Sequence, residues 1–208
     1  MRSASGRGRR LAGGAAAFAA VGLAASPAWA HGSASLGDFY SGLSQPVYHL
    51  ESLLLLLAFG LCVGQHTERP QLAALVTFVG ATLAGSAAGL LDVTIPGALW
   101  SVRLGTIALG LLTAASWFPP LWLAIVLGGV LGVAQGNFGS AGDSALIARP
   151  VVFSLGLGVG PILVTSWFVA LADRFRARWL EIGFRVVGSW LATIAMLIAS
   201  LAAARPAP

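Results

Sequence analysis

Residues 47–64 read Val47-Tyr48-His49-Leu50-Glu51-Ser52-Leu53-Leu54-Leu55-Leu56-Leu57-Ala58-Phe59-Gly60-Leu61-Cys62-Val63-Gly64 and carry one charge, Glu51. A hydrocarbon layer about 30 Å thick needs roughly 20 apolar residues to cross as a helix, within a range of about 17–25. This stretch is long enough. Five similar runs come after it at 71–91, 98–115, 121–138, 151–172 and 183–203. The breaks between them hold turn-forming and polar residues: His66-Thr67-Glu68-Arg69-Pro70, Asp92 to Gly97, Trp117-Phe118-Pro119-Pro120, Gly139 to Pro150, and Asp173 to Glu181. Loops this short make consecutive spans antiparallel neighbours. The expected fold is all-α, a polytopic transmembrane bundle of six helices without an extramembrane domain.

Composition agrees with that reading. The chain has 208 residues, 57% hydrophobic and 9% charged, with a mean hydropathy of +0.86. A soluble domain is about 25% charged, so an ordinary cytosolic globule, a disordered chain and a nucleic-acid binder are all excluded. The net charge of +5 comes from arginine alone, since there is no lysine. Arg2, Arg7, Arg9 and Arg10 crowd the first ten residues, and the rest punctuate apolar runs, unlike a phosphate-binding face. The single cysteine, Cys62, lies inside an apolar run and allows neither a disulfide framework nor a CxxC motif. The pairs Gly60/Gly64, Gly85/Gly89, Gly128/Gly132/Gly136 and Gly156/Gly160 suit close helix packing in lipid, within one chain or in a homo-oligomer. Trp100, Trp117 and Trp122 near span ends suit an interfacial belt.

Residues 1–30 combine an Arg-rich start, an apolar stretch from Leu11 to about Ala25, and Pro27-Ala28-Trp29-Ala30. That is the layout of a secretory signal peptide with an A-x-A cleavage site. The alternative is an uncleaved first helix. Cleavage after Ala30 leaves 31–208 as the mature six-span domain, starting at His31. The segment after Ala30 is then outside the cytoplasm, and the first, third and fifth loops are inside. Those loops and the start of the last span hold Arg69, Arg174, Arg176, Arg178 and Arg185, against Arg149 and Arg205 on the other side. The positive-inside bias agrees. The expected location is a bacterial inner membrane, with the mature N-terminus in the periplasm.

The informative residues are those a bilayer should exclude. Glu51 and Arg103 each lie a few residues into a span, and a charge there costs about 2.5–3.5 kcal/mol on insertion scales. Both spans run inward from the outer face, so the two sit at similar depth and an ion pair is one reading. Separate snorkelling to the interface is the other. Pro46 suits a first helical residue. On one continuous helix Gln45, His49 and Ser52 then fall within about 60° of each other. The fourth span ends in Ala134-Gln135-Gly136-Asn137-Phe138-Gly139, and its clean apolar part, Leu121 to Ala134, is short. A glycine-interrupted short span points to a broken helix at a binding site, with an ordinary frayed helix end as the alternative.

At His49–Gly64 and again at Gln135–Gly139 the chain resembles the HupE/UreJ family of bacterial nickel/cobalt permeases. The family's first-span motif is His-Pro, a Gly-containing spacer and Asp-His before a leucine-rich stretch. Gln45-Pro46-Val47-Tyr48-His49-Leu50-Glu51-Ser52 has that layout, with Gln45 and Ser52 in place of the histidines and Glu51 in place of the aspartate. Gln135 replaces the histidine of the later motif. The resemblance implies six spans after a signal peptide and a permease for a divalent transition-metal cation such as nickel or cobalt. The cation would enter from the periplasm past Gln45, His49, Glu51, Ser52, Gln135 and Asn137. His31, as a free amino terminus, could capture metal at the surface. The rival reading is a non-transporting accessory or interaction protein that kept the scaffold and lost the ligands. Partners are then the lipid bilayer and a small cation substrate, with no resident cofactor and no nucleic acid. No HExxH or GxSxG motif is present, so no enzyme activity is expected.

Overall fold

The computed structural model describes residues 37–65, 70–117, 119–141, 149–174 and 178–204. The signal region, His31, His66 and Asp143 lie outside them. All the regular structure among the described residues is helical: α1 (Asp38–Tyr48), α2 (Leu50–Gly64), α3 (Pro70–Leu90), α4 (Ala98–Ala115), α5 (Leu121–Ala141), α6 (Pro150–Arg174) and α7 (Arg178–Ala203). The last five are long and apolar enough to cross a membrane. There are six such spans if α1 and α2, bent by 76° at their junction, are one. The protein is an all-α polytopic bundle.

The direction of each helix can be read from which residues meet. A methyl group added at Gly128 would touch Ala74, one at Gly132 would meet Phe78, and one at Gly136 would meet Thr82. The paired numbers rise together, so α3 and α5 run parallel. Glu51 meets Arg103 and Cys62 meets Thr113, so α2 and α4 are parallel too. Gly60 faces Thr165 and Gly64 faces Ala172, which sets α2 parallel to α6. Gly110 faces Ala192 and Gly188 faces Ala114, so α4 and α7 are antiparallel. Ser86 reaches Ser154 while Leu83 reaches Gly158, so α3 and α6 are antiparallel as well. Every relation fits an alternating up-and-down chain once α1 and α2 together count as one crossing.

The centre of the bundle is α2. Eleven of its 15 residues are buried, so its all-round apolar surface is covered by other helices. Phe59 stacks on Phe78 with ring centroids 4.4 Å apart. Around this core the outward faces are apolar, with Trp167 and Trp190 about two-thirds exposed to the surroundings that lipid would fill. At the end of α4, Ser116 takes a left-handed conformation, and Arg185 Nε donates to the Ala114 carbonyl over 2.9 Å. A cation there also complements the negative end of the helix dipole.

Two local expectations are overturned. The fourth span is not broken at its glycines: α5 runs unbroken through Gly128, Gly129, Gly132, Gly136 and Gly139 to Ala141. Gly128, Gly132 and Gly136 form the groove that admits the α3 backbone, and in lipid no water competes for the helix's own hydrogen bonds. The break falls in the first span instead. That span starts at Asp38, with Pro46 in the last turn of α1 and not at a helix start.

The α3–α5 contact gives a direct test. A methyl at Gly136 would collide with the Thr82 carbonyl and come within 2.7 Å of the Ser86 nitrogen, both backbone atoms. Gly136→Ala should therefore cost about 1–3 kcal/mol, as overpacking does. Thermal unfolding of the detergent-solubilised protein reads this as a lowered Tm, whereas an unchanged Tm would mean the two backbones are not held that close.

Candidate functional site

The first span is interrupted at His49, whose backbone is extended at φ −104° and ψ 102°. Pro46 has no N–H, so the Gly42 carbonyl loses its helical donor and the last turn of α1 is weakened. The His49 N–H still donates to the Gln45 carbonyl at 3.2 Å, and the Leu53 N–H restarts the next helix on the His49 carbonyl at 3.0 Å. Between these bonds, the last carbonyls of α1 and the first N–H groups of α2 have no partner within a helix. Their partial charges of opposite sign meet at the break, whose flanking residues Val47, Tyr48 and Leu50 are exposed.

Side chains on both helices turn that point into a polar site. Gln45 is buried, and its Nε2 donates to the Gly139 carbonyl over 2.9 Å. Its Oε1 has no partner. A methyl at Gly139 would sit 2.9 Å from Leu157 Cδ1 and 3.2 Å from Gln45 Oε1, so those side-chain ends would have to shift. The half-buried His49 ring packs edge-on against Phe138, with centroids 5.6 Å apart. Thus Gln45 and His49 both engage the end of α5. Gln135 lies one turn back from Gly139 on the same face of α5. It is fully buried, and neither of its amide atoms has a partner. The Ser52 hydroxyl, two residues past the start of α2, is likewise buried and unpaired. Unpaired buried polar atoms are costly; four of them fall on Gln45, Ser52 and Gln135, with others on Gln65 and Thr165.

Glu51 points elsewhere. Arg103 Nε and Nη2 both donate to its Oε1, at 3.0 and 2.8 Å, and the guanidinium carbon lies 5.1 Å from the Trp100 ring centre. The two side chains are 22% and 12% exposed, so neither snorkels independently. A cavity of about 10 Å³, room for one water, lies beside the pair among Leu54, Thr106, Ala195 and Ile198.

Asn137 is also separate. Its Nδ2 donates to the Val93 carbonyl at 2.8 Å, and its Oδ1 accepts from the Ile95 N–H at 2.9 Å. It clips the 91–97 loop onto α5, on the side away from Gln135, because residues two apart on a helix are about 200° apart. The proposed lining therefore divides three ways. Gln45 and His49 meet at the break, Glu51 turns to α4 and α7, and Asn137 turns to the loop. The single face of Gln45, His49 and Ser52 does not exist, since the helix that would define it stops at His49. Sequence reading missed Phe138, Gly139, Thr106 and the stacking of Trp100. Trp100 and Thr106 each left a signal, one helical turn from Arg103 on either side.

Electrostatically, the break is neutral apart from its helix ends, because Arg103 balances the carboxylate of Glu51. No group of three His, Cys, Asp or Glu side chains able to hold a metal occurs among the described residues. The break offers one imidazole, two amides and a hydroxyl. Compared with known families, residues 19–200 match the one described as HupE / UreJ protein. No curated protein and no solved structure matches the chain.

Proposed function

The chain belongs to the HupE/UreJ family, and on that premise we propose that it is a permease for a divalent transition-metal cation such as nickel or cobalt, passing the break in the first span. The observation that carries this is the 76° bend at His49, with buried polar atoms of Gln45 and Ser52 unpartnered on either side of it in the chain. Irregular backbone in a membrane is tolerated where it lines a passage or is buried in protein, and broken helices mark transport sites. His49 supplies the imidazole suited to nickel and cobalt, while Gln45, Ser52 and Gln135 supply weaker oxygen ligands. We place the His49 end on the periplasmic side of the inner membrane, in keeping with the arginine bias and the signal peptide. His31 would then stand at that surface.

A second reading is favoured by one observation. The carboxylate of Glu51 is already neutralised, so a non-transporting accessory protein on the same scaffold fits the loss of the motif histidines. Uptake of radiolabelled nickel or cobalt by cells expressing the protein separates the two. Permeation predicts uptake above vector control that falls at least tenfold in the variant His49→Ala with Gln45→Leu, the scale on which altering the surroundings of a metal site acts. Uptake at vector level in the parent protein would favour the accessory role.

A further inference from the structure

We propose that Arg103 is a tethered cation that occupies the Glu51 carboxylate in place of a mobile one, and so sets which cations this part of the bundle accepts. The inference rests on the permease reading only in its choice of cation. Its basis is the geometry of the pair.

Both guanidinium donors converge on Glu51 Oε1, and Oε2 receives no bond from Arg103. The one-water cavity beside the pair is bounded by Thr106. The Thr106 hydroxyl donates its hydrogen to the Val102 carbonyl at 2.8 Å, so what remains to its oxygen is the role of acceptor. A carboxylate, a hydroxyl-bearing side chain and a water-sized space thus adjoin one another, the exposed lining of that space being almost wholly apolar. The cation is supplied by the chain itself.

Withdrawing that cation exposes the cost it offsets. A buried carboxylate without its partner is strongly unfavourable and needs another positive charge. The ring of Trp100 gives the guanidinium a second resting place. The guanidinium carbon already lies within cation–π range of that ring, so a change of rotamer toward it would expose the carboxylate without leaving the arginine charge unsupported. Arginine suits the role because its fork makes both bonds and its plane stacks, whereas lysine is a compact point charge. Arg103 therefore acts as a competitor. Cations that bind Glu51 must displace it.

The test is titration of the full-length protein in nanodiscs with cobalt chloride. Arg103→Gln should bind cobalt at least tenfold more tightly than the parent, and adding Glu51→Gln should abolish the gain. Thr106→Val in the Arg103→Gln background should reduce it. Affinity of Arg103→Gln within threefold of the parent overturns the proposal. Should Arg103→Gln not fold, Arg103→Lys keeps the charge and decides: a gain of about threefold supports competition, and none refutes it. Uptake measured in parallel separates this result from the permease reading. A gain in binding by a protein that transports nothing upholds the competitor and removes the permease. Transport in the parent with no gain in Arg103→Gln does the reverse.

Discussion

Arg103→Ala is expected to lower the stability of the bundle by about 3 kcal/mol, the low end of the 3–5 kcal/mol typical when one member of a buried pair is removed. The low end applies because the Glu51 and Arg103 side chains retain 22% and 12% exposure, so water relieves part of the penalty. Removing both charges should behave differently. With Glu51→Leu and Arg103→Leu combined, no charge is left unpaired, and well-packed apolar replacements of a buried pair are often neutral or stabilising. Each single variant should therefore be less stable than the double. Denaturation of the solubilised protein, read by loss of helicity, checks the order. A single variant as stable as the parent would mean that the pair is solvated and binds the two helices only weakly.

The second large effect concerns the half-span α1. Its docking depends on two glycines facing in opposite directions. A side chain at Gly42 would run into the Phe153 carbonyl, and one at Gly156 would run into the Phe39 carbonyl. Backbone atoms cannot rotate aside, and small residues at such crossings permit the approach that holds helices together in lipid. Gly42→Leu should force α1 off α6, taking Gln45 from Gly139 and His49 from Phe138. The rest of the bundle should persist, because the α2 core contacts at Phe59 and the α3–α5 groove do not involve α1. On the permease proposal, the expected result is a folded protein with at least a tenfold loss of cation uptake and new protease cleavage between Asp38 and Tyr48. Uptake retained after such cleavage would show that α1 plays no part in the passage.

The contrast between these two regions reflects how much of each was legible in advance. The need of Glu51 and Arg103 for partners could be read from the sequence, since a lone charge at that depth is costly and their depths matched. That they paired, with Trp100 alongside, required the α2 and α4 register. The break at His49 left a weaker mark, the helical donor missing at Pro46. Residue 49 is neither glycine nor proline, Pro46 lies three residues before it, and the apolar run continues on its far side. The glycines of the fourth span did suggest a break, yet α5 is continuous because α3 fills the groove they make. Asn137 looked like a neighbour of Gln135, but its amide is used on a loop that is distant in sequence.

The sequence by itself determined that this chain crosses a membrane repeatedly, with spans alternating in direction and a few polar residues in need of a reason. Those facts come from local composition, since the length and apolarity of a run decide whether it can enter lipid. Only the tertiary structure decided where the first span breaks and which polar residues share a site. The bend is held by Gln45 on Gly139, His49 on Phe138 and Glu51 on Arg103, contacts between residues far apart in the chain. A helix in lipid keeps its own hydrogen bonds unless such partners replace them, and no local pattern reports which partners the fold will bring.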